Sequence, residues 1–210
     1  QCRWFTAHGF DNASGKWEHH TGKASFEDID ILTELLGEGG ITWKNDTATW
    51  YKDELVGIAT GVSDLLYSLM GGANLRRLLG NQTLAFVRRA TTEVGCTSTL
   101  CAVLGNNEVE YSGGHNTVVT EDFAFDAVHE IGHHIGYLNR TPSGYSLARG
   151  YTGNERYSDA FPWDQQYATT QYAHSAAHNR KGDLEYFADA VARFVYETYS
   201  RPGTNHYSPL

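Results

Sequence analysis

Long apolar runs and positive charge are both scarce in this chain of 210 residues. A transmembrane helix needs about 20 consecutive apolar residues, and no run approaches that length, so we expect no membrane span. The 16 lysines and arginines are outnumbered by 25 aspartates and glutamates, which gives a net charge of −9. Because a phosphate backbone attracts basic surfaces, we also expect no nucleic-acid partner. The hydrophobic content of 40% is that of a globular protein.

Cysteine is also scarce, with three residues in the chain. Cys96 and Cys101 are close enough in sequence to close a small disulfide loop, although two ordinary thiols would fit as well, and Cys2 has no evident partner. Four Asn-x-Ser/Thr sequons occur, at Asn12, Asn45, Asn81 and Asn139. These features favour a secreted glycoprotein with a disulfide bond, whose N-terminus at Gln1 would be a processed start.

Hydrophobic periodicity predicts helices and strands in alternation along the chain. Helices are expected at about 26–36, 52–70, 120–138 and 183–199, and strands at about 41–51, 83–88, 100–104 and 108–111. Glycines at 37 and at 71–72 are expected to end the first two helices. We expect residues 107–119 to supply the edge strand. These elements predict an α+β fold built on a mixed sheet.

The length favours a single domain over residues 1–210. Its N-terminal lobe, about 1–120, would hold the sheet and the first two helices. Its C-terminal lobe, about 121–210, would be helical and rich in loops. The segment 140–182 carries many glycines, serines and tyrosines, and a loop of that length is usually functional.

One motif carries recognisable chemistry: residues 129–133 read His-Glu-Ile-Gly-His, an H-E-x-x-H sequence within a predicted helix. Residues four apart share a helix face, so His129 and His133 can bind one metal ion at about 2 Å from each ligating nitrogen. Glu130 then flanks the metal without binding it and can act as a general base toward water. The motif predicts a catalytic zinc site.

A catalytic zinc usually has three protein ligands, and two interpretations of the third are open. Residues 129–139 resemble the metzincin pattern H-E-x-x-H-x-x-G-x-x-H, with Gly136 at the turn, but Asn139 stands at the third ligand position. Metzincins also need a methionine downstream of the motif, and the only methionine, Met70, lies upstream. A metzincin-like peptidase would therefore need a different third ligand.

The last predicted helix offers the second interpretation, because Glu185 and Asp189 are four residues apart and share one of its faces. The pair resembles the gluzincin arrangement, in which a glutamate on a later helix completes the zinc site. In that arrangement an acid four residues on contacts a ligating histidine. The resemblance implies a zincin-like fold with Glu185 as the third ligand and Asp189 as the group that orients a histidine, a role with a sound physical basis.

Residues 120–195 also resemble the catalytic domain of the anthrax lethal factor family, chiefly in the run Glu-Tyr-Phe-Ala-Asp-Ala at 185–190. That family carries a tyrosine seven residues before the metal-binding glutamate, where this chain has His178. A tetrahedral intermediate needs a hydrogen-bond donor for its oxyanion. His178 is therefore the first candidate for that role.

Together these residues predict a secreted zinc-dependent endopeptidase, a monomer that acts on protein or peptide substrates. Hydrolysis would use a zinc-activated water with Glu130 as the general base. Three alternatives stay open. One is a metzincin-like peptidase with a different third ligand, and another is a zincin-shaped binding module or effector without turnover. The third is an amidase or deacetylase that acts on a non-protein amide with the same metal chemistry.

Overall fold

The computed structural model describes residues 9–11, 16–18, 29–91, 100–113, 120–139 and 182–196. Residues 9–11, 16–18, 29, 31, 52–53, 120–122 and 182–186 are described by their backbone alone. Three predictions depend on residues outside these ranges: the Cys96–Cys101 disulfide because of Cys96, the long loop at 140–182 because of residues 140–181, and the role of His178. Each of them stays a prediction.

Helices and strands occur in the described ranges at most of the places where the hydrophobic periodicity predicts them. The helices are α1 (Ile29–Glu38), α2 (Lys52–Ser68), α3 (Gly72–Leu78), α4 (Thr120–Leu138) and α5 (Gly182–Val195). The strands are β1 (Gly9–Asp11), β2 (Lys16–Glu18), β3 (Ile41–Asn45), β4 (Leu84–Arg88), β5 (Cys101–Val103) and β6 (Glu108–Tyr111). The predicted α+β class is confirmed at this level.

The larger sheet has four strands in the order β3-β4-β6-β5. β3, β4 and β6 are parallel, and β5 pairs antiparallel with β6, so the predicted mixed sheet is confirmed. The prediction that residues 107–119 supply the edge strand is wrong, because β6 lies between β4 and β5. All four residues of β6 are buried, which fits an inner strand. The edge nearest α4 is formed by β5.

Of the glycines that were expected to stop the first two helices, Gly71 does so, because its N–H donates to the Leu66 carbonyl at 2.8 Å at the end of α2. Gly37 and Gly72 act differently. α1 continues through Gly37 to Glu38, and α3 begins at Gly72, only a few residues after α2 ends. A Cβ atom at position 72 would overlap the backbone carbonyl of Glu38. The absence of a side chain at Gly72 therefore lets the start of α3 pack against the end of α1. Within the described ranges no single helix is long and apolar enough to span a membrane, although Glu54–Ser68 and Gly72–Leu78 pass that test together as a bent pair.

The hydrophobic core lies between the helices and one face of the larger sheet. Strands contribute residues at every second position, because alternate side chains point to the same face. Burying each large apolar side chain contributes about 1.5–3 kcal/mol. Central members of this core are Ile58, Val62, Phe86, Val109, Tyr111, Val128 and Ile131.

Arg88, at the end of β4, makes several contacts that hold the backbone at the end of β6. Its guanidinium pairs with Glu54 of α2, with Nε 3.1 Å from the carboxylate. It also donates to the carbonyls of Tyr111 at 3.2 Å and Gly113 at 2.6 Å. A buried charge with this many partners is stable only while all of them stay in place, so Arg88 joins the end of β6 to β4 and α2.

A second buried polar contact joins α2 to the end of α5. The Tyr196 hydroxyl donates to Asp64 Oδ2 at 3.0 Å, and both side chains are buried. Burial raises the pKa of Asp64 to about 8, and the hydrogen bond from Tyr196 opposes that rise. Asp64 is therefore neutral in the folded protein between about pH 4 and pH 8, where an unfolded aspartate is ionised.

The Asp64→Asn variant should be less sensitive to pH than the parent protein. The pKa of Asp64 rises from 3.8 to about 8 on folding, so the stability it contributes is complete below about pH 4 and is lost as the pH rises toward 8. Asparagine does not ionise and still accepts the Tyr196 hydrogen bond.

Urea unfolding at about pH 5 and about pH 8 measures this difference. Since one pKa unit corresponds to about 1.4 kcal/mol, the parent should lose at least about 1 kcal/mol more free energy of unfolding across that range than the variant. Equal losses in the two proteins would contradict the assignment of Asp64 as a buried neutral acid. Ser68→Ala, near the end of the same helix, is a matched control.

Candidate metal centre

α4 carries the H-E-x-x-H motif and is packed closely by the helices on two sides. A Cβ at Gly61 of α2 would lie 2.4 Å from the Ala124 carbonyl oxygen. A Cβ at Gly132 of α4 would lie 2.9 Å from the Cα of Ala188 in α5. Real Cβ atoms do not approach so closely, so both glycines are needed for the backbones to meet. Gly132, the fourth residue of the motif, therefore sets how near α5 comes to the histidines.

The two motif histidines converge on one point. The Nε2 atoms of His129 and His133 lie 3.1 Å apart, and both side chains are buried. Their rings are nearly perpendicular, with centroids 4.8 Å apart. Two nitrogens bound to one tetrahedral zinc at about 2.0–2.1 Å would be roughly 3.3 Å apart. The helix thus already holds these nitrogens at the spacing that a shared metal ion requires.

Asp189 of α5 lies behind His129. Its Oδ1 atom is 2.9 Å from Nδ1 of His129, and both side chains are almost completely buried. A proton held on Nδ1 leaves Nε2 with a free lone pair, which is the form that binds metal. A carboxylate at this distance would favour the tautomer and the ring orientation that direct Nε2 toward His133.

Glu130 lies at the border between the histidines and the sheet. Ligand atoms of His129, Glu130 and His133 all lie within 4.8 Å of one another. Glu130 is partly exposed, whereas the histidines are buried. Its Oε2 atom accepts a hydrogen bond of 2.8 Å from the backbone N–H of Ala102 in β5. The sequence gives no sign of this contact, because a backbone donor is present at every residue type except proline.

The next histidine along α4 serves to anchor the helix. His134 is fully buried, and its Nε2 is 2.9 Å from the backbone carbonyl of Glu108 in β6. Since a carbonyl can only accept, Nε2 donates. Burial lowers the pKa of His134 to about 4, with His133 adding to the effect and the Glu108 carbonyl opposing it. His134 is thus neutral near pH 7 and fixes the rotation of α4 about its axis.

The end of α4 does not fit the metzincin pattern. The helix runs through Gly136 to Leu138, so the chain does not turn back at that glycine. The Asn139 amide nitrogen donates to the carbonyls of Leu78 at 2.7 Å and Ile135 at 2.8 Å. Asn139 therefore closes the end of α4 and joins it to the end of α3.

The remaining predicted site residues are located only in part. Position 185 lies in α5, one helical turn before Asp189, but the Glu185 side chain is outside the described part of the structure. His178 lies outside the described residues altogether. The structure thus brings together His129, Glu130, His133 and Asp189, and it places the backbone of Glu185 on the helix that supplies Asp189.

The donor atoms that are described suit a zinc ion. Imidazole nitrogen is a preferred zinc ligand, and catalytic zinc sites often combine two histidines with one carboxylate. A carboxylate behind a ligating histidine is the usual accompaniment. The arrangement could hold a metal with Glu130 beside it, which is the requirement for hydrolysis assisted by a general base.

Removal of the Asp189 carboxylate should weaken metal binding without unfolding the protein. We expect Asp189→Ala to raise the zinc dissociation constant about 10- to 100-fold, because His129 loses the group that orients it. Competition with a chromophoric chelator measures this. Thr60→Ala, which truncates another buried polar side chain, should leave the constant unchanged. Equal zinc affinity in parent and Asp189→Ala would show that the contact has no part in metal binding.

No family model, curated protein or solved structure matches this chain.

Proposed function

We propose that this protein is a zinc-dependent endopeptidase of the zincin type with a gluzincin-like ligand set. The observation that carries the proposal is the buried pair of His129 and His133, with Nε2 atoms 3.1 Å apart and Asp189 2.9 Å behind the first ring. Burying two imidazoles and a carboxylate together is unfavourable unless these groups hydrogen-bond to one another or bind a cation. A zinc ion would make use of all three.

His129, His133 and Glu185 are the proposed ligands. The proposal for Glu185 rests on its position in α5, because residues four apart share a helix face. Asp189 is turned toward His129, and position 185 is one turn of about 5.4 Å along the same face. The metzincin alternative has less support, since α4 continues through Gly136 and Asn139 caps the helix.

Each of the proposed site residues has its own role in the reaction. When bound, zinc would supply Lewis acidity toward a carbonyl group and a water molecule. Glu130 would accept a proton from the attacking water and deliver it to the leaving amine nitrogen. Asp189 would hold the proton on Nδ1 of His129. His178 remains the proposed donor to the oxyanion.

Other parts of the proposal rest on sequence alone. A protein or peptide substrate follows from the peptidase chemistry. Export rests on the sequons and on the spacing of Cys96 and Cys101. A zincin-like fold would agree with the mixed sheet beside a motif-bearing helix, and we propose that the protein works as a monomer.

Glu130→Gln should abolish hydrolysis and keep the metal. Glutamine matches glutamate in shape but cannot accept the proton, so kcat/KM on a casein-type substrate should fall about 10²- to 10⁴-fold. The zinc content should stay near that of the parent. Glu34→Gln, the same change at an exposed position of α1, is the matched control. Full activity in Glu130→Gln would contradict the proposed mechanism.

Glu185→Ala tests the ligand set. With two histidines left, zinc should be held far more weakly, and metal and activity should be lost together. Elemental analysis after dialysis measures the metal, and circular dichroism checks that the fold persists. If the variant retained zinc as tightly as the parent, the third ligand would have to lie elsewhere.

A further inference from the structure

The edge of the sheet beside the candidate metal centre is formed by β5. In the strand order β3-β4-β6-β5, this strand is the last, and within the described residues it pairs with β6 alone. Ala102 is its middle residue and lies opposite Val109 of β6. The Ala102 N–H donates to Glu130 rather than to β6, so it belongs to the set of groups that face away from the sheet.

An outward N–H on an edge strand would ordinarily be left to water or to another strand. Here it meets a carboxylate at 2.8 Å. Hydrogen bonds from a backbone N–H to an ionised acceptor are stronger than neutral ones. A partly exposed glutamate would otherwise sample several rotamers, at an entropic cost when it is fixed. The bond to Ala102 therefore restricts Glu130 to one position beside His129 and His133.

We infer that the backbone N–H of Ala102 is a positioning group for the general base. It holds Oε2 of Glu130 against β5, and this fixes where the carboxylate meets the attacking water. The inference rests on the proposed peptidase function of the same site. It adds a role for β5, which the sequence motifs do not include.

The role can be tested by substitution because one residue type lacks the donor. Proline has no N–H, and it is tolerated on edge strands where that N–H faces outward. Ala102→Pro therefore removes the bond to Glu130 and spares the pairing with β6. Ala102→Gly keeps the N–H and serves as the matched control.

The expected result is a loss confined to turnover. In Ala102→Pro, kcat should fall about 10- to 100-fold, KM should stay within about threefold of the parent, and zinc affinity should be unchanged. Ala102→Gly should keep kcat within about threefold. A proline variant with parental kcat would overturn the inference. So would a glycine variant that loses as much as the proline variant, since the N–H would then not be the group that matters.

A second measurement is independent of catalysis and of the stability of the proline variant. In the zinc-loaded protein, hydrogen exchange followed by NMR reports directly on the Ala102 amide. In Glu130→Ala, that amide should exchange at least about tenfold faster, whereas the amides of the β5–β6 ladder should keep their protection. An unchanged rate at Ala102 would overturn the inference. If the parent binds zinc yet cleaves no peptide, the proposed function fails, and this result still decides whether the contact exists.

Discussion

The contact between His129 of α4 and Asp189 of α5 is the interaction on which the candidate site depends. It joins two helices that are distant in sequence, and it lies in the interior, where an unmatched carboxylate or imidazole would be costly. The contact is possible because Gly132 and Ala188 have little or no side chain and let the helices meet backbone to backbone. The close packing and the polar contact therefore require each other.

The same helix is tied to the rest of the fold on its other sides. His134 anchors it to β6, Gly61 allows α2 to approach, and Asn139 joins its end to α3. The His134 contact restricts rotation of α4 about its axis, and the close approach at Gly61 restricts separation of α4 from α2. The Asn139 contact restricts fraying at the end of α4. A metal site needs ligands held to within a fraction of an ångström, and the surrounding contacts supply that rigidity before any metal binds.

Local pattern was enough to predict much of this arrangement. The helices α2 and α4 and the strands β4 and β6 follow from periodicities of 3.6 and 2. Long-range choices were not predictable in the same way. The position of β5 at the edge depends on pairing between separate strands, and α3 begins at a glycine whose packing against Glu38 leaves no local signal. The bond from Ala102 to Glu130 uses a backbone group, which the sequence cannot distinguish.

X-ray absorption at the zinc edge of the zinc-loaded protein is the decisive measurement for the proposed metal site. The spectrum reports the type, number and distance of the atoms around the metal. We expect two imidazole nitrogens at about 2.0–2.1 Å, completed by oxygen and without sulfur. A spectrum without imidazole scattering, or a protein that takes up no zinc, would contradict the assignment of His129 and His133 as ligands.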